Sequence, residues 1–247
     1  MNLKTNFIFF DALGTLFSVR GSVADFYSRY ARRFGFEMKS PEAERELGRT
    51  FSVAFREQGP MVFPGRPENR ICELERQWWR GVVLNTFARL GPFPHIEQFF
   101  EAVYEAFRTS EAWVLEPGAR ETLMALRSRG IGLGIISNFD SRLYDVLRSL
   151  EILEFFDLIV ISSRAPAAKP DTAIFHYAAQ QAGYDPSRIL HVGDDVEGDF
   201  RAAQKAGFQS LLYDPRGLCK DVPDKCLISR LGEVTRSGIV PRFGQSK

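Results

Sequence analysis

The sequence predicts an α/β fold, a doubly wound parallel sheet with a helical insertion after its first strand. Three observations carry this reading. Five short apolar runs are spread along the chain, and the last four are separated by segments of helical periodicity. Strands that are apolar throughout and alternate with helices belong to a parallel sheet covered on both faces. Residues 18–114, between the first run and the second, carry helical patterns and no convincing strand. Four of the five runs also lead into polar residues, at the carboxyl strand ends where open α/β sheets bind their ligands.

The first run, FIFF at 7–10, ends in Asp11, with Gly14 and Thr15 close behind. Ser22 then precedes Val23, Phe26, Tyr27, Tyr30 and Phe34 at helical spacing, with Asp25 in the first turn. Ser40-Pro41-Glu42 opens a second helix, Pro67 opens a third that runs through Trp78 and Trp79 to about 90, and residues 95–109 form a fourth. The loop QGPMVFPGRPENR, 58–70, joins the second and third and reads as a connector, although its apolar side chains would suit a specificity loop. Trp78 and Trp79 read as packing inside this helical layer.

Beyond the insertion, a helix at 120–129 leads to the second strand, 132–136, which ends in Ser137-Asn138. The third strand, 158–161, precedes a loop holding Lys169-Pro170, and the fourth, 189–192, ends in Gly193-Asp194-Asp195 with Asp199 beyond it. A fifth strand lies at 210–213, and helices at 141–150, 172–182 and 198–206 fill the intervals. The glycines of GIGLG, 130–134, lie within a strand rather than after it, so they are not a dinucleotide loop. His95, His176 and His191 are scattered and read as helix-face or strand residues.

Bulk composition bounds the function. A chain of 247 residues, 45% hydrophobic with 22 Phe, can build a sizeable core plus a smaller inserted domain. The division expected is a core of 1–17 and 115–247 and a helical cap of 18–114. With 32 basic and 31 acidic residues, a net charge of +1 gives no electrostatic reason to expect a nucleic acid or membrane partner. Cys72, Cys219 and Cys226 form neither a zinc pattern nor a disulfide framework, and the apolar run before Asp11 is too short for a signal peptide. A cytoplasmic protein, monomer or homodimer, acting on a small molecule is the expectation.

The strand-end residues fit phosphoryl chemistry. A carboxylate can attack phosphorus and form an acyl phosphate. Hard oxygen ligands such as Asp11 and Asp194 can hold the Mg²⁺ that neutralises the dianion, while a hydroxyl and a Lys ammonium bind the remaining phosphoryl oxygens. The set D-x-x-G-T-L, S-N, K-P and G-D-D-x-x-x-D, in this order, resembles the haloacid dehalogenase-like hydrolase superfamily from Phe7 to about Tyr213. The resemblance implies a Rossmann-like core and an inserted cap. It implies Asp11 as nucleophile and metal ligand, with the Leu13 carbonyl and Asp194 as further Mg²⁺ ligands. Ser137, Asn138 and Lys169 would bind the phosphoryl group, with Lys169 and Ser137 serving catalysis. Asp195, Asp199 and Thr15 would stand behind these groups, one of the two acids orienting Lys169.

One position departs from the pattern. The superfamily's phosphatases carry an Asp two residues after the nucleophile, where this chain has Leu13. That Asp protonates the leaving alkoxide and then activates water, help worth roughly 10² to 10⁴ in rate. The leading reading is a Mg²⁺-dependent phosphatase-type hydrolase of weak or specialised activity, working on a small phosphorylated substrate through an aspartyl-phosphate. Two alternatives stand beside it. The stretch DALGTL also resembles 2-haloacid dehalogenases, commonly D-A-Y-G-T-L, in which halide leaves without a proton; Arg20, Arg32, Arg33, Arg45 and Arg49 are candidates for the halide site. The other alternative is a non-catalytic binding protein. GDDVEGD, four acids within seven residues, favours a metal site over the dehalogenase reading, because such a cluster repels itself and a carboxylate substrate unless a cation is present.

Overall fold

The computed structural model describes residues 5–37 and 41–236. Its main sheet is parallel and six-stranded, in the order β5-β4-β1-β6-β7-β8. These strands are β1 (Phe7–Phe10), β4 (Gly132–Ser137), β5 (Leu158–Ile161), β6 (Ile189–Gly193), β7 (Gln209–Tyr213) and β8 (Leu227–Ile228). The five apolar runs are thus five strands of the sheet; β8, two residues long, is too short to show as a pattern. A separate antiparallel ribbon pairs β2 (Phe17–Val19) with β3 (Trp113–Leu115) and straddles the expected divisions after residues 17 and 114.

β1 sits centrally, with β4 and β6 as its parallel neighbours. All four of its side chains are buried, Ile8 and Phe10 in one apolar cluster and Phe7 and Phe9 in another. Alternate side chains of a strand point to opposite faces, so two clusters mean helices on both sides. The glycine spacing in GIGLG has a packing cause: a Cβ on Gly134 would lie 2.5 Å from the Phe9 ring.

The chain between β2 and β3 folds into α1 (Val23–Arg33), α2 (Pro41–Gln58), α3 (Glu68–Ala88) and α4 (Ile96–Ala106). Ser22 caps α1 by accepting the Asp25 N–H at 3.0 Å; Ser40, read as opening α2, lies outside the described residues. Buried aromatics hold the helices together, Phe87, Phe93 and Phe99 meeting ring to ring at 4.9 to 5.1 Å. Trp78 packs with Ala54, Met61 and Val82, so the 58–70 loop contributes a buried anchor, and the Met61 carbonyl accepts from the Ser162 hydroxyl beyond β5. Among the described residues, no helix is long and apolar enough to cross a membrane.

The remaining helices are α5 (Ala119–Arg127), α6 (Leu143–Ser149), α7 (Thr172–Ala182) and α8 (Ala202–Lys205). The helix expected at 198–206 departs from its pattern. It begins as a wide π-helical turn, Val196–Arg201, and only then tightens into α8. The Asp195 carboxylate caps this turn by accepting the Gly198 N–H at 2.5 Å.

Candidate active site

The carboxyl ends of β1, β4 and β6 and the loop after β5 bring the candidate residues together. Asp11 follows β1 directly, and its N–H donates to the Val192 carbonyl at 2.8 Å, extending the ladder by one residue. The chain then turns sharply at Gly14, whose φ of 93° is left-handed. A Cβ there would stand 2.4 Å from an Asp194 carboxylate oxygen, so only glycine lets the β1 turn approach β6 this closely. Thr15 donates its hydroxyl to Asp194 Oδ1 at 3.0 Å.

Lys169 is the hub. Its Nζ donates to Asp11 Oδ1 at 2.6 Å and to Asp199 Oδ1 at 2.5 Å, with all three side chains buried. The π-helical turn carries Asp199 inward, 1% exposed, whereas its neighbour Asp195 stays at the surface as the helix cap. Of the two acids, Asp199 is therefore the one that orients Lys169. The Asn138 amide pairs with the Lys169 backbone, donating to its carbonyl and accepting from its N–H, each bond 2.8 Å. That clamp fixes the lysine's main chain from β4. Ser137 is buried at the end of the same strand and eases ionisation of the Asp11 carboxyl.

His191 belongs to this network, and sequence reasoning missed it. It is fully buried in β6, and its Nε2 lies 2.9 Å from Asp199 Oδ1. A histidine at the centre of an apolar strand, eight residues before an acid, was the available signal.

The charges follow from this geometry. Burial drives Lys169 toward neutrality, but the two carboxylates outweigh it and hold the ammonium firmly charged. Burial likewise opposes ionisation of Asp199, yet Lys169 and His191 keep its carboxyl well below the usual range. Asp11 is raised, because burial exceeds the help it receives from Lys169 and Ser137. Asp194, exposed on one side, is pushed up to about 7 by the protein packed against its other side and by the Asp11 and Asp199 charges. One oxygen from each of Asp11, Asp194 and Asp199 lies within 4.8 Å of the others. These are hard donors with too little positive charge among them, which is the donor set a divalent cation fits. Asp199 is engaged by both Lys169 and His191 and Asp11 by Lys169 alone, so Asp11 and Asp194 are the carboxylates that could hold it.

The family model of haloacid dehalogenase-like hydrolases matches residues 5–207. The chain belongs to that family. It is 33% identical over 216 residues to haloacid dehalogenase-like hydrolase domain-containing protein 3 of Xenopus laevis, covering 87% of this chain and 86% of that protein. Among solved structures it resembles a 2-haloacid dehalogenase from Pseudomonas syringae pv. Tomato DC3000, with a TM-score of 0.65 at 20% identity over 94% of this chain and 97% of that one. It also resembles a HAD phosphatase from Thermococcus onnurineus, with a TM-score of 0.63 at 19% identity over 94% and 97% of the two chains. At these identities the structural likeness is one of fold, and both chemistries occur on it.

Between the helical layer and the sheet of this haloacid dehalogenase-like hydrolase lies a cavity of about 270 Å³. Leu13 and Asn138 line it beside the strand ends, and aromatic rings form most of the rest. Trp79 is one of those rings, so of the tryptophan pair only Trp78 packs away inside the helical layer. The charged residue in the lining, among the described residues, is Arg142, which follows β4 and which sequence reasoning did not single out. None of Arg20, Arg32, Arg33, Arg45 and Arg49 lines it. Arg20 donates to the Ser110 and Trp113 carbonyls, Arg32, Arg45 and Arg49 pair with Glu44, Glu42 and Glu46, and Arg33 lies over the Tyr30 ring.

Proposed function

We propose that this hydrolase performs phosphatase-type chemistry through an aspartyl-phosphate on Asp11, acting on small phosphorylated substrates whose leaving group needs no protonation. The observation that carries this reading is the pairing of Asp11 with Lys169 beside the acids Asp194 and Asp199. Asp11 and Asp194, with the Leu13 carbonyl, would hold Mg²⁺, which when bound offsets negative charge on the phosphoryl oxygens.

The chain's own groups do the rest. Lys169 keeps one oxygen of Asp11 in place and sets positive charge beside the phosphoryl oxygens. The other Asp11 oxygen attacks phosphorus. The P–O bond to the leaving group breaks as the P–O bond to Asp11 forms, and the leaving group takes the bonding electrons. Ser137 and Asn138 border the transferred group from the end of β4. Water then attacks the phosphorus of the acyl phosphate, releasing Asp11 and inorganic phosphate. Position 13 supplies no proton in the first step and no base in the second, because Leu13 is an alkyl side chain. The carboxylate of an acyl phosphate or the phenolate of an acidic phenol leaves without that proton; a simple alkoxide does not.

The dehalogenase reading has the fold in its favour, but among the described residues the one arginine lining the cavity, which could serve a halide, is already engaged by Asp140. Phosphate release from acyl phosphates, aryl phosphates and alkyl phosphates, compared with halide release from 2-haloacids, each with Mg²⁺ and with EDTA, tests the choice. Halide release that EDTA does not suppress, with no phosphate release, would overturn the proposal.

A further inference from the structure

The cavity beside Leu13 has a polarity unlike that of the site it adjoins. Tyr27, Phe55, Trp79, Phe100, Phe107 and Trp113 give it an aromatic wall, contributed by the helical insertion and by β3. Its charged member offers nothing to a ligand. Arg142 donates from Nε to Asp140 Oδ1 at 2.9 Å and from NH2 to Asp140 Oδ2 at 2.7 Å. Its NH1 reaches the Tyr104 carbonyl at 3.4 Å, and the guanidinium lies over the Tyr104 and Trp79 rings at 4.2 and 4.9 Å. The Trp79 indole N–H is likewise spent on Asp140, at 2.6 Å. Charge-assisted, doubly hydrogen-bonded pairs of this kind do not open for a weak competitor. A carboxylate or a second phosphate entering the cavity would lose its hydration and meet no unpaired cation. On the other side of Asp194 the open recess is mixed, with Glu116, Arg216 and Lys220 beside Leu212 and Leu218 in its lining, unlike the aromatic space on the Leu13 side.

Size narrows the occupant. A cavity of roughly 150 Å³ with an apolar lining stays dry and accepts benzene. At about 270 Å³ this one is nearly twice as large. We propose that the cavity selects phosphorylated substrates whose leaving group bears an uncharged apolar body, a fused aromatic ring pair or an alkyl chain of about eight carbons. The proposal rests on the phosphatase-type reading for the phosphoryl end and assigns the other end. Leu13 then has a second consequence: the position that lacks a proton donor presents its apolar side chain to the substrate, 43% exposed at the cavity.

The test uses n-alkylphosphonates from methyl to decyl, whose C–P bond is not hydrolysed, titrated calorimetrically into the intact protein with Mg²⁺. Each added methylene should tighten binding about fourfold until the cavity fills near eight carbons, after which the gain should stop. Fluorescence of Trp79 and Trp113, both in the lining, should change along the same series. Val103→Phe and, nearer the rim, Val23→Phe each fill part of the space, and either should lower the octyl-to-methyl affinity ratio at least tenfold. Affinity flat with chain length in the wild type, or octanoate binding as tightly as octylphosphonate, would overturn the proposal. Phosphate release that ignores chain length would leave the phosphatase reading standing and sink this one. A chain-length gain in binding without turnover of any phosphate ester would do the reverse, retiring the phosphatase reading and keeping the cavity's assignment.

Discussion

Replacing Leu13 by Asp places the absent carboxyl two residues beyond Asp11. The side chain is 43% exposed and lines the cavity, so the new acid reaches open space rather than the core. Full burial of a leucine is worth roughly 1.5–3 kcal/mol, and with somewhat more than half of it buried here the exchange should cost about 1–2 kcal/mol of stability. A carboxyl forced into the core would cost several times more. The neighbouring Asp11, Asp194 and Asp199 charges should raise the new acid's pKa, which favours the protonated donor near neutral pH. General acid–base help of roughly 10² to 10⁴ corresponds to about 3–5 kcal/mol of barrier. Allowing for imperfect placement, phosphate release at pH 7 with Mg²⁺ should rise at least about tenfold for an aryl ester, and more for an alkyl ester, whose oxygen most needs the proton. An acyl phosphate is the control, where the wild type should already perform comparatively well. A Leu13→Asp variant that melts cooperatively yet gains nothing on either ester would refute the idea that the missing proton donor limits this site.

Three further outcomes follow from the same geometry. Asp11→Asn should abolish hydrolase activity while leaving the melting temperature near the wild-type value, since Lys169 keeps Asp199; full activity would exclude Asp11 as nucleophile. Lys169→Met strands two buried carboxylates and should lower stability by about 3–5 kcal/mol in denaturant titrations at pH 7. Asp194, raised to about 7, binds more protons folded than unfolded across the interval from the ordinary carboxylate range up to that value. Stability of the metal-free protein should therefore fall as pH rises through this interval, and millimolar Mg²⁺ should remove the decline and raise the melting temperature by mass action. Calorimetry showing no Mg²⁺ binding to the folded protein would count against the metal site.

Much of this protein is local, and that part the sequence determined alone. The apolar runs became strands because a buried parallel strand needs apolar side chains on both faces, a demand visible within four or five residues. The positions of Asp11, Ser137 and Asp194 followed, because each sits where such a run stops. Short elements escaped: β8 and the β2–β3 ribbon span two and three residues, too few to express a period. Roles that depend on distant partners were left to the tertiary structure. Lys169 and Asp11 are 158 residues apart in the chain and 2.6 Å apart in space. The inward turn of Asp199 comes from a π-helical register that a 3.6-residue pattern does not encode, and it alone separates Asp199 from Asp195. His191 acquires its place in the site only through that turn. The cavity is the clearest case. Its aromatic wall comes from helices that each read as ordinary amphipathic packing, and its arginine is silenced by Asp140 and covered by Trp79, 63 residues earlier in the chain. Periodicity tells which side chains leave water; which of them face one another across an empty space depends on how the helices dock, and that is a property of the whole fold.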